Sequence, residues 1–343
     1  MSNPITLKKL AHLSNFSIST VSKALADNPE ISKETKEKVK KLAKLYNYTP
    51  NLVARSLKER KTRTIGVIIP NVLAHFFAKV LVGIEKEAVE LGYNIITCIS
   101  DESYDKEAKS IQMLGSGSVD GFIISISKGT YQKNDYQHLS STIEKNIPVV
   151  MFDRVTEHVE CDKVVINDFE SSYDATKKLI LSGCKNVIFV SPINNTNVGV
   201  ERVKGYNKAL EDYSSPKALS EILIIEDYKE FAQYFNDYLD KKTVDGIVAA
   251  DELSAIYTMN LVIGRGLKVP EDISVIGFTD GILSENSNPP LTTVDQHGIE
   301  LGEIATRKLI QRLEQNSNED QKEYTTTTLK TTLIKRGSAR LDS

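Results

Sequence analysis

The 343-residue chain has no tryptophan, three cysteines and five histidines, and each shortage excludes something. Cys98, Cys161 and Cys184 are odd in number and lie in or beside apolar runs without a CxxC pair. Buried free thiols are therefore expected, not disulfides or a zinc site. His12, His75, His138, His158 and His297 are scattered, with no HExxH, and the chain also lacks GxGxxG, a GxxxxGK phosphate loop and a nucleophile elbow. An enzyme has no local support, and no cofactor or metal is implied. No apolar run approaches the roughly 20 residues that a membrane helix needs. Met1-Ser2-Asn3-Pro4-Ile5 opens without a hydrophobic signal region, which points to a cytoplasmic protein with no membrane partner.

What the chain does have is a division of charge. Met1–Thr64 carries 14 Lys and Arg against 5 Asp and Glu, whereas the remainder carries 29 against 41, so the net charge of −3 hides two opposite halves. A basic module on an acidic body is the pattern of a nucleic-acid reader attached to something that should stay off the polyanion. The length and the 40% hydrophobic content predict two or three domains with real cores.

The basic segment reads as three short helices. Thr6, Ser17 and Ser32 are the expected N-caps; Leu7, Leu10, Ala11 and Leu13, then Val21, Ala24 and Leu25, then Val39, Leu42, Ala43 and Leu45 form the inner faces. This is a helix-turn-helix with a supporting helix, over 1–50. Docked in a major groove, the second helix would offer Ile18 and Ser19 to base edges, Lys23 to guanine acceptors or a phosphate, and Thr20, Ser22 and Asn28 to phosphates. The plain alternative is a three-helix bundle whose Lys36, Lys38, Lys40, Lys41 and Lys44 merely solvate one face.

From Thr64 onward, short and nearly continuous apolar runs alternate with helical patterns: Ile65–Ile69, Ile95–Ile99, Gly121–Ile126, Val149–Phe152, Val164–Ile166, Val187–Val190, Ile222–Ile225, Gly246–Ala249 and Ile273–Phe278. Such alternation predicts α/β architecture with parallel sheets covered by helices. Val119-Asp120-Gly121-Phe122-Ile123-Ile124 recurs as Val244-Asp245-Gly246-Ile247-Val248-Ala249, which predicts two similar lobes with a cleft between them. Ligands of open parallel sheets sit beyond the carboxyl ends of the strands. That rule selects Asn71 to Phe77, Ser125, Asp153-Arg154, Pro192 to Asn197, Ala250-Asp251 and Thr279-Asp280.

Thr6-Leu7-Lys8-Lys9-Leu10-Ala11, Ser17 to Ser22, and Asn47-Tyr48-Thr49-Pro50-Asn51-Leu52-Val53-Ala54-Arg55-Ser56-Leu57 resemble the lactose/galactose repressor (LacI/GalR) family, and the likeness continues over nearly the whole chain. The resemblance implies a hinge helix and linker over 51–63, with Asn51, Ala54, Arg55 and Leu57 on DNA and Leu57 wedged into the minor groove. It implies a periplasmic-binding-protein-like body: a first lobe of 64–165 and 295–325, and a second of 166–294 and 326–337, with crossings near Ile166, Asp295 and Thr326. It implies a homodimeric repressor of carbohydrate-utilisation genes on a palindromic double-stranded operator, controlled by a sugar or sugar derivative in the cleft. Arg202 would fork across ring hydroxyls, Asp153 and Asp251 would accept from them, Ser125 and Thr279 would lie close by, and His75, Phe76, Phe77 and Tyr228 would form an apolar wall. Ala250 and Thr279 depart from the commoner Asn and acidic residue, which leaves a sugar acid or phosphorylated sugar open. An enzyme and a solute-capturing protein outside the cell are the readings from other classes.

Overall fold

The helices of the first unit start where side chains can satisfy their free N–H groups. The computed structural model describes residues 5–48, 61–214, 220–315 and 323–341, in two units, 1–62 and 63–343. In the first unit, α1 (Leu7–Ser14), α2 (Ile18–Leu25) and α3 (Lys33–Leu45) are capped by Thr6, Ser17 and Ser32, each accepting from the backbone N–H three residues on. Leu10, Ala11, Val21, Ala24, Val39 and Ala43 close a small core. Leu13 and Leu45 are exceptions, 37% and 72% exposed. The inner face of α1 follows the spacing 7, 10, 11, 14 and leaves position 13 outside; Leu45, two residues past Ala43, lies on the other side of α3. Residues 51–60 of the expected hinge, with Asn51, Ala54, Arg55 and Leu57, lie outside the described residues.

The second unit runs β1 (Thr64–Ile69), α4 (His75–Glu90), β2 (Asn94–Ile99), α5 (Tyr104–Leu114), β3 (Gly121–Ile124), α6 (Lys128–Lys133), α7 (Gln137–Glu144), β4 (Val149–Phe152), β5 (Asp162–Ile166), α8 (Asp168–Leu181), β6 (Val187–Ser191), α9 (Asn197–Tyr213), β7 (Ile222–Ile224), α10 (Phe231–Leu239), β8 (Gly246–Ala249), α11 (Glu252–Gly264), β9 (Ser274–Phe278), α12 (Ile282–Asn286), β10 (Thr292–Asp295), α13 (Gly298–Glu314), β11 (Thr326–Leu329) and β12 (Thr332–Ile334). These strands make two six-stranded sheets, ordered β11-β5-β4-β3-β1-β2 and β12-β10-β9-β8-β6-β7. The central strands β3, β4, β6 and β8 are buried along their whole length, as helices on both sheet faces require. Tight helix pairs complete each lobe. A Cβ on Gly83 of α4 would lie 2.0 Å from the Ile299 carbonyl oxygen of α13, and one on Gly205 of α9 would lie 2.1 Å from that of Phe169 in α8, so glycine lets the backbones touch.

The sequence repeat is a structural device. Asp120, just before β3, accepts the Arg63 N–H at 2.8 Å and so holds the entry to β1. Asp245, just before β8, accepts the N–H groups of Lys185 and Asn186 at 2.8 Å and holds the entry to β6.

The crossings define the cleft. β11 pairs in parallel with β5 in the first sheet and leaves it at the carboxyl end; two residues later β12 joins the second sheet antiparallel to β10. A strand that exits one sheet at its carboxyl end and runs backward into the next must enter at that sheet's carboxyl end. The carboxyl ends of the two sheets therefore face each other. This corrects three expectations: Ile166 belongs to β5 of the first sheet, Asp295 belongs to β10 of the second, and the last crossing falls at Lys330-Thr331, not at Thr326. The second lobe also continues past residue 337, where Ser338 donates to the Val275 carbonyl at 2.6 Å and Ala339 is buried.

Candidate functional site

The amino end of α2 is the exposed chemical feature of the first unit. Ser17 accepts the Thr20 N–H at 3.0 Å and its hydroxyl meets the Thr20 hydroxyl at 2.8 Å, so both side chains serve the helix start. Thr6 likewise accepts from the Lys9 N–H at 3.2 Å. Ile18, 48% exposed, and Ser19 face solvent beside the positive end of the helix dipole; Ser22 is half-buried. Lys23 is held by Glu30, and Asn28 accepts the Glu30 N–H at 2.9 Å in the turn that follows.

In the second unit the strand-end residues meet around one arginine. Arg202, on α9 and 2% exposed, donates from Nε to Asp168 at 2.7 Å and from Nη1 to the Ala250 carbonyl at 2.5 Å, and its guanidinium lies 3.9 Å over the Phe278 ring. Its Nη2 is buried with no hydrogen-bond partner among the described residues, as is the Ser125 hydroxyl at the end of β3. Asp153, at the end of β4, is buried with a left-handed φ of 57°. Burial pushes its carboxyl up to about 7, against the pull of Arg154 and Arg202. Asp168 is raised by burial as well, with Arg202 opposing. Arg154 lies 5.9 Å over the Phe77 ring and donates to both Glu102 oxygens at 2.7 and 2.8 Å. Asn197 ties the lobes together, donating to the Asp153 carbonyl at 3.2 Å and accepting the Val155 N–H at 3.3 Å. Lys79 to the Asp280 carbonyl and Lys128 to Glu226 bridge them too.

Other expected residues have different work. Phe76 and Phe77 form an edge-on pair in the core of the first lobe, because the inner face of α4 must cover β1 and β4; they are not an open wall. Asp251 caps α11, accepting the Ser254 N–H at 2.8 Å, and takes the Tyr228 hydroxyl at 2.9 Å. Burial, reinforced by Asp251, holds the Tyr228 phenol well above its usual range. Tyr228 thus presents its ring, stacked on Phe231, while its oxygen is occupied. Thr279 donates to Gln296 at 2.6 Å, and its φ of 79° is strained for a β-branched residue. His75 is half-buried at the start of α4.

A concavity of about 750 Å³ opens beside the crossings, lined by residues of both lobes, including Tyr136, His158, Ile166, Asp168, Asn197 and Thr326. Asp168 and Asn197 are its shared wall with the Arg202 and Asp153 centre, and none of the nine expected effector residues lines it. Sequence reasoning missed Asp168, Asn197 as a bridge, Gln296 and Glu102. The strand-end rule applied to β5 would have reached Asn167-Asp168.

Comparison with known proteins follows the same division. Residues 6–51 match the family described as bacterial regulatory proteins, lacI family, and residues 176–339 match the periplasmic binding protein-like domain. The chain is 32% identical over 314 residues, 90% of its length and 92% of the relative's, to the HTH-type transcriptional regulator RegA of Clostridium saccharobutylicum. It is 32% identical over 322 residues, 92% of its length and 93% of the relative's, to the HTH-type transcriptional repressor PurR of Vibrio atlanticus. Among solved structures, a LacI family transcriptional regulator from Enterococcus faecium with bound ribose aligns with a TM-score of 0.71 at 26% identity, over 81% of this chain and 100% of that one.

Proposed function

Because this chain belongs to the lacI family of bacterial regulatory proteins and is a DNA-binding transcriptional regulator, we propose that it represses carbohydrate-utilisation genes in the cytoplasm as a homodimer on a palindromic operator. A sugar-like effector in the interlobe cleft controls it. The observation that carries this reading is one chain holding both a capped, basic helix-turn-helix and a two-lobed α/β body whose sheets meet at their carboxyl ends. Ile18 and Ser19 read bases from the major groove, Lys23 exchanges Glu30 for DNA, and Ser17, Thr20, Ser22 and Asn28 set the helix and its phosphate contacts. Thr6 fixes the first helix against them. Asn51, Ala54, Arg55 and Leu57 act in the minor groove, with Leu57 as an apolar wedge.

Arg202, Asp153 and Ser125 form the polar floor of the effector site, His75 and the ring of Tyr228 flank it, and Asp251 and Thr279 orient their neighbours. The ribose bound to the Enterococcus faecium relative supports a sugar. Dimerisation is supported by large apolar side chains left exposed on both lobes: Val82 and Val89 on α4, Ile96 and Ile99 on β2, and Ile282 and Leu283 on α12.

The test is selection of the full chain against random duplexes at moderate ionic strength, followed by titration of the selected site with and without sugars. Enrichment of a symmetric sequence whose affinity a sugar changes is the expected result. The absence of any preferred symmetric site refutes the reading. Arg202→Ala is expected to remove the sugar response and spare operator affinity.

A further inference from the structure

We infer that Asp168 is a specificity-determining residue of the cleft: by occupying the Arg202 guanidinium it confines the effector to uncharged, hydroxyl-bearing molecules and excludes phosphorylated or carboxylated sugars. This rests on the effector reading above.

An arginine that captures a carboxylate or phosphate does so with two parallel N–H groups along one edge of its fork. In Arg202, Nε is committed to Asp168 and Nη1 to the Ala250 carbonyl. Nη2 belongs to both edges; Asp168 holds the other member of one, and the Ala250 carbonyl engages the other member of the second. Nη2 is left as the nitrogen without a partner, which suits a single hydroxyl oxygen better than a bidentate anion.

The charges lead to the same selection. Asp168 neutralises Arg202, Glu102 neutralises Arg154 at 2.7 Å, and Glu226 neutralises Lys128. Asp153 then adds a buried carboxyl within electrostatic reach of Arg154, Asp168, Arg202 and Glu102. An anionic ligand would enter a buried centre whose two arginines already have carboxylate partners, and would require Asp153 to keep its proton. A sugar suits the same centre, because its hydroxyls can accept from Arg202 Nη2 and from the Ser125 hydroxyl and can donate to Asp153. Sequence alone left a sugar acid or phosphosugar open through Arg202 and Arg154; both arginines are already taken.

The experiment titrates the full chain at neutral pH by calorimetry with matched pairs: ribose and ribose 5-phosphate, glucose and glucose 6-phosphate, galactose and galacturonate. The expected result is binding of at least one neutral member, with its anionic counterpart weaker by about 100-fold or more. Asp168→Asn is expected to narrow that ratio by at least about tenfold, because it removes the negative charge that neutralises Arg202 while leaving an amide oxygen to accept from Nε. Asp168→Glu, which keeps the ion pair, is expected to retain the exclusion and serves as the folded control. An anionic member that binds the unmodified protein as tightly as its neutral partner overturns the proposal and leaves a sugar-binding cleft standing. An unchanged ratio in a folded Asp168→Asn protein also overturns it. Failure of every member to bind overturns the effector reading itself, and the charge rule with it.

Discussion

Asp153→Asn is expected to stabilise the protein above neutral pH. The substitution keeps the shape of the side chain and suits the backbone, since Asn tolerates the left-handed φ of 57° about as well as Asp does. It removes a carboxyl that burial has raised from its ordinary 3.8 to about 7. Between those values the folded chain holds a proton that the unfolded chain has released, so stability falls as pH rises through the window and levels off above about 7. At about 1.4 kcal/mol per factor of ten, the full cost of ionising Asp153 in place is about 4 kcal/mol. The stability difference between Asp153→Asn and the unmodified protein is therefore expected to be small near pH 4 and to grow to about 2–4 kcal/mol by pH 8. Urea denaturation followed by far-ultraviolet circular dichroism reads it, and the absence of tryptophan makes that the better probe. Taking the difference between two chains at each pH cancels the other titrating groups. A difference that stays flat from pH 4 to 8, or that favours the aspartate at pH 8, would refute the assignment of burial as the dominant cause.

Ser17→Ala removes the acceptor at the start of α2 and should cost about 1 kcal/mol of local stability, seen as faster hydrogen exchange of the amides in that helix. Lys23→Ala is expected to lower the slope of log affinity against log salt for operator DNA by about one if Lys23 reaches a phosphate; an unchanged slope removes that contact. Asp245→Ala leaves the Lys185 and Asn186 amides without their acceptor, which should cost about 1–3 kcal/mol in urea denaturation, and Asp245→Asn should recover part of it.

The elements most legible in the sequence were those announced by local chemistry. Thr6, Ser17 and Ser32 mark helix starts because a short hydroxyl side chain is the available partner for free N–H groups, and all three cap as expected. Strands such as Val187–Ser191 stood out because two-sided burial demands an unbroken apolar run. The last crossing was not legible. Thr326–Leu329 and Thr332–Ile334 read as one β-branched run, and nothing local says that Lys330-Thr331 divides it between two sheets. The site was half legible for a related reason. Strand ends identify Asp153 and Thr279, but whether a carboxylate meets Arg202 depends on how α8 packs on α9. That packing is set by the close approach of Gly205 to the Phe169 backbone, which no local pattern around Asp168 announces.

Four locally unfavourable features adjoin the proposed effector site. Thr279 holds a φ of 79°, a region that a β-branched side chain resists, and backbone strain of this kind costs on the order of 1–3 kcal/mol. Arg202 Nη2 and the Ser125 hydroxyl are buried without partners, and Asp153 carries a carboxyl that burial disfavours. Each lies at or beside the carboxyl end of a strand, on the side where the two sheets meet. If these positions served stability alone, Asp153→Asn or a small apolar residue at Ser125 would be improvements, and the lobes would gain by closing over them. On the proposed reading, a bound effector would supply a donor for Asp153 and an acceptor for Arg202, beside the Asn197 bridge between the lobes.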